Sequence, residues 1–432
     1  SSSLLTNWSQ VRILCDPPIM NDYLNTLKQS FAKDSFLASL FFFFILSSWY
    51  TLRPLRNELA VQDIDNISLL LAMVGIGMLI ANLVYSWVAS KTNLKQLIIF
   101  SYLFLASNLV GFINLDFSSS AWVGRSFYVW CNIYSFFVVA IFWVVAINLF
   151  RQNKAKQYFG FISFGGTLGA AFGSRLSKYI ANNFSITPID GGPEEINISI
   201  FAFFTLGLLL IGLFMGLYCI SRVKSENIAL GGSAKDAFKN LFDSIDVRQL
   251  ALYMFLFTSL MTIHWITSAI IFEEAIESSI ERVALFADIE LAVSLIAGFT
   301  QIFLTSFLVK KIGIKFILFS YGVIFSIVFF VYAFAPLLIS AILITILLRV
   351  FEYSINKPSR EIVFSHLSKN KRYKSSVLVD TLFARLGDFS GSIFLGLFKG
   401  TQIAFSVAPL MAIPFAGCLA FLGFKITPKE KN

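Results

Sequence analysis

The 432-residue chain is 57% hydrophobic and 14% charged, with 34 Lys and Arg against 25 Asp and Glu. Soluble domains carry about 25% charged residues, so a water-facing enzyme is excluded, as are a collagen-like chain and an outer-membrane barrel of alternating strands roughly ten residues long. The net charge of +9 lies in short loops between apolar runs, where it reports topology and not affinity for nucleic acid.

The chain begins with Ser, so its N-terminus is expected to continue upstream. Residues 1–35 hold no apolar core of signal-peptide length and read as a cytoplasmic segment. Within it Ile19, Tyr23, Leu24, Leu27 and Phe31 fall at helical spacing, predicting an amphipathic helix at a membrane surface over 19–33. Twelve apolar segments follow, at 36–52, 67–90, 97–115, 121–150, 157–181, 198–220, 250–272, 283–309, 314–335, 337–356, 376–398 and 402–425. Most meet the roughly 20-residue requirement for crossing a bilayer. The fold class expected is an all-α membrane protein of twelve transmembrane helices in two six-helix halves, 36–220 and 250–426. A cytoplasmic linker over 221–249, with a short amphipathic helix at 234–243, joins them, and 427–432 is a tail.

Lys and Arg set the orientation. Lys91 and Lys95, the basic residues at 151–156 and 222–248, Lys310, Lys311, Lys315, those at 369–374 and the C-terminal lysines fall on one side. The opposite loops hold few cations beside acids such as Asp190, Glu194, Glu195, Glu273 and Glu274. Both termini are therefore expected in the cytoplasm of a bacterial inner-membrane protein. The halves also echo one another. Lys91-Thr-Asn-Leu-Lys95 precedes Phe100-Ser-Tyr102, and Lys311-Ile-Gly-Ile-Lys315 precedes Phe319-Ser-Tyr321. A parallel repeat of six-span halves is the organisation of major facilitator transporters.

An ionisable group inside a span is costly unless it faces a cavity or a partner. Arg53 and Arg56, three apart around Pro54, read either as guanidiniums aimed at an anion or as interfacial residues paired with Glu58. Gly165, Gly169 and Gly173 recur every fourth residue and predict close helix packing, with Arg175 and Lys178 beyond them. Arg349, Glu352 and Asn356 form an i, i+3, i+7 stripe, either lining a cavity or holding a self-neutralising Arg349–Glu352 pair; Arg360 and Glu361 follow as gate or loop residues. Asp380, Arg385 and Asp388 crowd one span and predict a gating or coupling network, in which Arg385 and Asp388 can pair. Asp288 and Glu290 are further candidates for a coupling proton.

Cys15, Cys131, Cys219 and Cys418 are far apart, and His264 and His366 form no cluster, so neither a disulfide framework, a metal site nor a cofactor is expected. No phosphate-binding loop, nucleophile–base pair or dinucleotide fingerprint occurs, which argues against an enzyme.

Leu52-Arg-Pro-Leu-Arg56-Asn-Glu58-Leu-Ala-Val61 carries a family likeness. It is joined by Gly160-Phe-Ile with Gly165-Gly-Thr-Leu-Gly169-Ala, Pro358-Ser-Arg360-Glu361-Ile-Val-Phe364, Val379-Asp380-Thr and Arg385-Leu-Gly387-Asp388. Together they resemble the ATP/ADP antiporter family of obligate intracellular bacteria and plastids, in a divergent bacterial branch. The resemblance implies a major-facilitator-like fold, with the family's basic position in span one at Arg56. It also implies departures: family exchangers carry Lys where this chain has Asp388, and their acids in spans four and seven fall near Cys131–Asn132 and His264–Trp265.

The sequence thus points to a monomeric secondary transporter of a small anionic solute, a nucleotide or another phosphorylated metabolite, embedded in the lipid bilayer. Arg53, Arg56, Arg349, Glu352 and Asn356 would bind substrate, and Asp288, Glu290, Asp380, Arg385 and Asp388 would gate or couple. The alternatives are a proton-coupled carrier of another organic solute and a non-transporting receptor or scaffold.

Overall fold

A computed structural model describes residues 33–117, 119–150, 155–187, 194–221, 245–366, 378–398 and 407–426. The expected amphipathic helix at 234–243, the tail at 427–432, nearly all of the helix at 19–33 and most of the linker lie outside the described residues. The apolar runs fold as helices because a backbone in lipid must satisfy its own hydrogen bonds. They are α1 (Lys33–Gln62), α2 (Ile67–Lys91), α3 (Leu94–Ile113), α4 (Ala121–Leu149), α5 (Ala155–Asn183), α6 (Ile198–Ile220) and α7 (Ile245–Ala275). The second half of the chain continues with α8 (Ser279–Phe303), α9 (Thr305–Ile312), α10 (Ile314–Phe334), α11 (Leu338–Phe351), α12 (Lys357–His366), α13 (Ala384–Gly396) and α14 (Val407–Lys425). Ten helices among the described residues are long and apolar enough to cross a membrane. The expected spans at 157–181 and 376–398 are not among the ten: the first is rich in Gly and Ser, and the described part of the second is short and carries Asp380, Arg385 and Asp388. On α2, Ile76, Ile80, Leu83 and Trp87 form an exposed apolar face suited to lipid.

Three expected boundaries move, each for a local reason. The first helix runs through Pro54 to Gln62, well past residue 52. The segment at 283–309 breaks at Leu304, where the Thr305 hydroxyl donates both to Thr300 O (3.1 Å) and across to Ser354 O (2.7 Å). Such an intrusion into the helical ladder produces a kink. The segment at 337–356 ends in a π-helical turn, Glu352–Asn356, and resumes as α12. Pro358 has no N–H to bond the carbonyl four residues back; that carbonyl, of Ser354, is the one Thr305 reaches, while Gln301 Nε2 donates to Tyr353 O at 3.0 Å. A second π turn, Val379–Phe383, opens α13.

The packing repeats itself. In the first half α1 packs on α5 and α3 on α6; in the second, α7 packs on α13 and α10 on α14. Between the halves, α5 meets α8 and α13 meets α2, so each partner pair is matched by its counterpart six segments on. Gly165, Gly169 and Gly173 of α5 face the backbone of Ser39, Phe43 and Ser47 on α1, and Gly387 and Gly391 of α13 face Phe255 and Ser259 on α7. A Cβ at Gly169 would lie 2.2 Å from Phe43 O, so glycine there sets the helix separation. The two Lys-containing turns are built differently. Asn93 caps α3 in a reciprocal box with Gln96, whereas Gly313 turns at φ 83°, ψ 150°, a region essentially reserved for glycine.

Two hydrophobic cores result, one centred on Phe41, Phe142 and Tyr134 in the first half, the other on Phe257, Tyr321 and Phe329 in the second. A smaller cluster joins them: Ala60, Leu70, Val74 and Tyr128 pack with Ile266 near the α1–α2 turn.

Candidate functional site

A cavity of about 240 Å³ lies between the halves. From the first half, α1 supplies Arg53, Arg56 and Asn57, and α4 supplies Asn132. The three-residue spacing puts both arginines on one face of α1. Arg53 donates to Tyr50 Oη (3.1 Å) and to Tyr353 Oη (2.8 Å), and its Nε lies 3.1 Å from Glu290 Oε1. Arg56 differs. It donates to the amide oxygens of Asn132 (3.0 Å) and Asn57 (2.5 Å), and its guanidinium lies 5.7 Å from the Trp49 ring centroid. Among the described residues it is in no ion pair; its buried Nε, like that of Arg53, has no hydrogen-bond partner.

The second half supplies the counter-charges. Glu290 on α8 is 1% exposed at its side chain and receives Arg349 through both carboxylate oxygens, the Nη2–Oε2 bond being 2.7 Å. It is thus held by two arginines, one from each half of the chain. Tyr353, in the first π turn, lies against both guanidiniums. On α13, Asp388 accepts from Arg385 (2.8 Å) and from Thr262 Oγ1 (3.1 Å). Four guanidiniums and three carboxylates line the cavity. Each carboxylate is engaged by arginine, since Glu352 is taken by Arg360 at 2.8 Å. The remaining lining is mixed: Met261, Trp265 and Phe272 from one face of α7 and Phe286 and Ile289 from α8 stand beside the polar His264, Ser268 and Thr345.

At the end of the bundle that carries the α1–α2 and α7–α8 turns, further ion pairs cross between the halves. Arg282 donates to both oxygens of Glu58, at 2.6 and 2.9 Å, and its Nη1 donates to Ile276 O and Glu277 O. Lys178 donates to Asp288 at 2.5 Å, with Arg175 3.8 Å away. Within the first half, Arg125 grips Asp63.

Of the residues singled out from sequence, Arg53, Arg56, Arg349, Glu352, Glu290, Arg385 and Asp388 meet at this cavity. Three do not. Asn356 is fully buried between Glu352 and Tyr253; the extra residue of the π turn rotates it off the Arg349 face. Asp288 is 43% exposed and paired with Lys178, not held at depth. Asp380 sits in the second π turn, away from the cavity. Two pairings that the sequence left open as alternatives do not form. Arg349 bonds Glu290 and not Glu352, and Glu58 bonds Arg282 and not an arginine of its own helix. Tyr353 was missed because an aromatic in an apolar helix carries no sequence signal; its place between Arg349 and Arg53 is a product of the tertiary fold.

No family model matches the chain. It is 23% identical over 299 residues to "ADP,ATP carrier protein 2, chloroplastic" of Arabidopsis thaliana, a match covering 63% of this chain and 48% of the plant protein. The chain therefore spans about half the length of the curated relatives it matches. Among solved structures it is similar to the nucleoside transporter NupG, with a TM-score of 0.66 at 13% identity, covering 91% of this chain and 98% of that one. It is also similar to a bacterial homologue of the human lysosomal transporter Spinster, with a TM-score of 0.59 at 12% identity, covering 91% and 96%. The fold is that of these transporters, all-helical and major-facilitator-like.

Proposed function

We propose that the chain is a twelve-span secondary transporter that carries a small anionic solute by alternating access between two six-helix halves, both termini lying in the cytoplasm. The observation that carries this reading is Arg56, a half-buried guanidinium at the cavity between the halves, with no carboxylate partner among the described residues and a buried, unsatisfied Nε. A buried donor without a partner is costly, and a carboxylate or phosphate supplies the planar, bidentate acceptor that arginine fits. The likeness to ADP,ATP carriers favours a nucleotide or related phosphorylated metabolite as the anion.

In this mechanism substrate binds at Arg56 with Arg53 and Arg349 beside it. The Glu58–Arg282 and Lys178–Asp288 pairs close one end of the path and separate when that end opens, while Arg385 and Asp388 act as an internal switch. Flux into proteoliposomes tests the proposal. Arg56→Ala should lower transport roughly 10- to 100-fold, the scale of a lost charged hydrogen bond, with thermal stability retained. Arg56→Lys should restore little, because a point charge does not replace a fork. Full transport by Arg56→Ala would remove Arg56 from the mechanism. Reporters at the C-terminus and at about residue 230 should respond alike, and one at about residue 190 oppositely; any other pattern defeats the topology.

A further inference from the structure

We infer that the cavity selects a compact aromatic solute bearing a single anionic group, a monophosphate or a carboxylate, and discriminates against polyphosphates. The inference rests on the anion-transporter reading and narrows its substrate class. Three observations carry it.

The first is the charge arrangement. Arg53 and Arg349 are both committed to Glu290, Arg385 to Asp388, and Arg360 to Glu352. Among the described residues, Arg56 alone of the cavity's guanidiniums bonds only neutral groups. One fork matches one carboxylate or phosphoryl group. Each additional phosphoryl group would meet guanidiniums already held by Glu290, Glu352 and Asp388 and would have to displace those carboxylates to bind. The second observation is the aromatic part of the lining. Trp265, Phe272 and Phe286, with Met261 and Ile289, line the same cavity, and aromatic and thioether groups are favourable surroundings for a buried aromatic ring. The third is size: at about 240 Å³ the cavity is smaller than the ~300–1,000 Å³ typical of small-molecule sites, which favours a compact solute.

The test is equilibrium binding to the purified full chain in detergent, read by thermal shift and by competition. The probes are adenosine, AMP, ADP, ATP, indole-3-acetate and inorganic phosphate. AMP or indole-3-acetate should bind at least tenfold more tightly than ATP and than phosphate, and Arg56→Ala should abolish that binding. Glu290→Gln, which frees two guanidiniums, should shift the AMP-to-ATP preference at least tenfold toward ATP. Should that variant fail to fold, Asp388→Asn, which frees Arg385, is read the same way. ATP or ADP binding as tightly as AMP, in an Arg56-dependent manner, overturns the inference and leaves the anion-transporter reading standing. So does a folded Glu290→Gln protein with an unchanged preference. Adenosine binding as tightly as AMP, with Arg56→Ala indifferent, overturns both. Binding by neither AMP nor indole-3-acetate overturns the inference.

Discussion

The Glu58–Arg282 pair makes a sharp test of alternating access. Glu58 is fully buried and Arg282 is 9% exposed at its side chain; the two join α1 to the start of α8 through two hydrogen bonds. Arg282→Gln leaves the Glu58 carboxylate buried with Gln62 Nε2, 3.2 Å away, as its remaining partner. Stranding one member of a buried pair costs about 3–5 kcal/mol. That cost falls only on the conformation in which the halves meet at this end, because separating them rehydrates Glu58. At about 1.4 kcal/mol per factor of ten, the closed-to-open ratio should fall between a hundredfold and several thousandfold. Glu58→Gln combined with Arg282→Gln removes both charges and should recover most of the loss. Double electron–electron resonance between spin labels at residues 119 and 277, both exposed near this end, reads the change directly. Wild type should give the short distance of the closed end, Arg282→Gln a dominant longer one, and the double variant a return toward the short. An Arg282→Gln distribution identical to wild type would refute the assignment of this pair as an inter-half lock.

Gly169→Ala places its Cβ 2.2 Å from Phe43 O on α1 and should destabilise by about 1–3 kcal/mol or more, whereas Gly207→Ala meets nothing within 4 Å and should gain up to ~1 kcal/mol from helix propensity; unfolding midpoints in detergent that move in the same direction would contradict the packing argument. Burial raises the Asp63 carboxyl, but hydrogen bonds from Arg125 and Asn66 outweigh it and hold the group below its ordinary value. The stability lost in Asp63→Asn should therefore be the same at pH 6 and pH 8, and should vanish only as the pH falls below about 4. Deleting Ile355 to convert the first π turn to regular helix should rotate α12 and break Arg360–Glu352, abolishing transport while the chain remains helical by circular dichroism; unimpaired flux would show the turn to be dispensable.

What could be read in advance follows from range. Charges embedded in apolar runs are conspicuous because lipid makes them costly, and so the cavity arginines and acids stand out in the chain. Their partners do not. Glu58 and Arg282 are 224 residues apart, and nothing local in either sequence names the other. Local spacing left two readings open for Arg349 and Glu352, a helical pair or a cavity-lining stripe; both residues line the cavity and Glu290 from another helix takes Arg349. The first π turn was invisible because it follows from long-range stitching by Gln301 and Thr305. The glycine stripes were legible because a four-residue recurrence defines a helix face without reference to the partner.

The charge at the cavity is divided unequally between the halves. From the first half come Arg53 and Arg56 with no acid; from the second come Glu290, Glu352 and Asp388, together with Arg349 and Arg385. The packing is close to symmetric, but the electrostatics are not, and under the proposed transport reading the asymmetry would link binding to movement. At the cavity, among the described residues, Arg53–Glu290 is the ion pair that joins the two halves. An anion arriving at Arg56 would stand one helical turn from Arg53 and compete with Glu290 for it. Glu290 would keep its bidentate hold on Arg349 and so lose its tie to the first half without being left unpaired. A bound anion would thus weaken an inter-half contact at small cost to the second half. A ligand shifts a conformational equilibrium only through such a difference in its interaction with the two states. The same arrangement explains why an arginine with only neutral partners belongs on the first-half wall. Were Arg56 also tied to an acid, the anion would have to displace that partner too, and binding would forfeit the energy that drives the change.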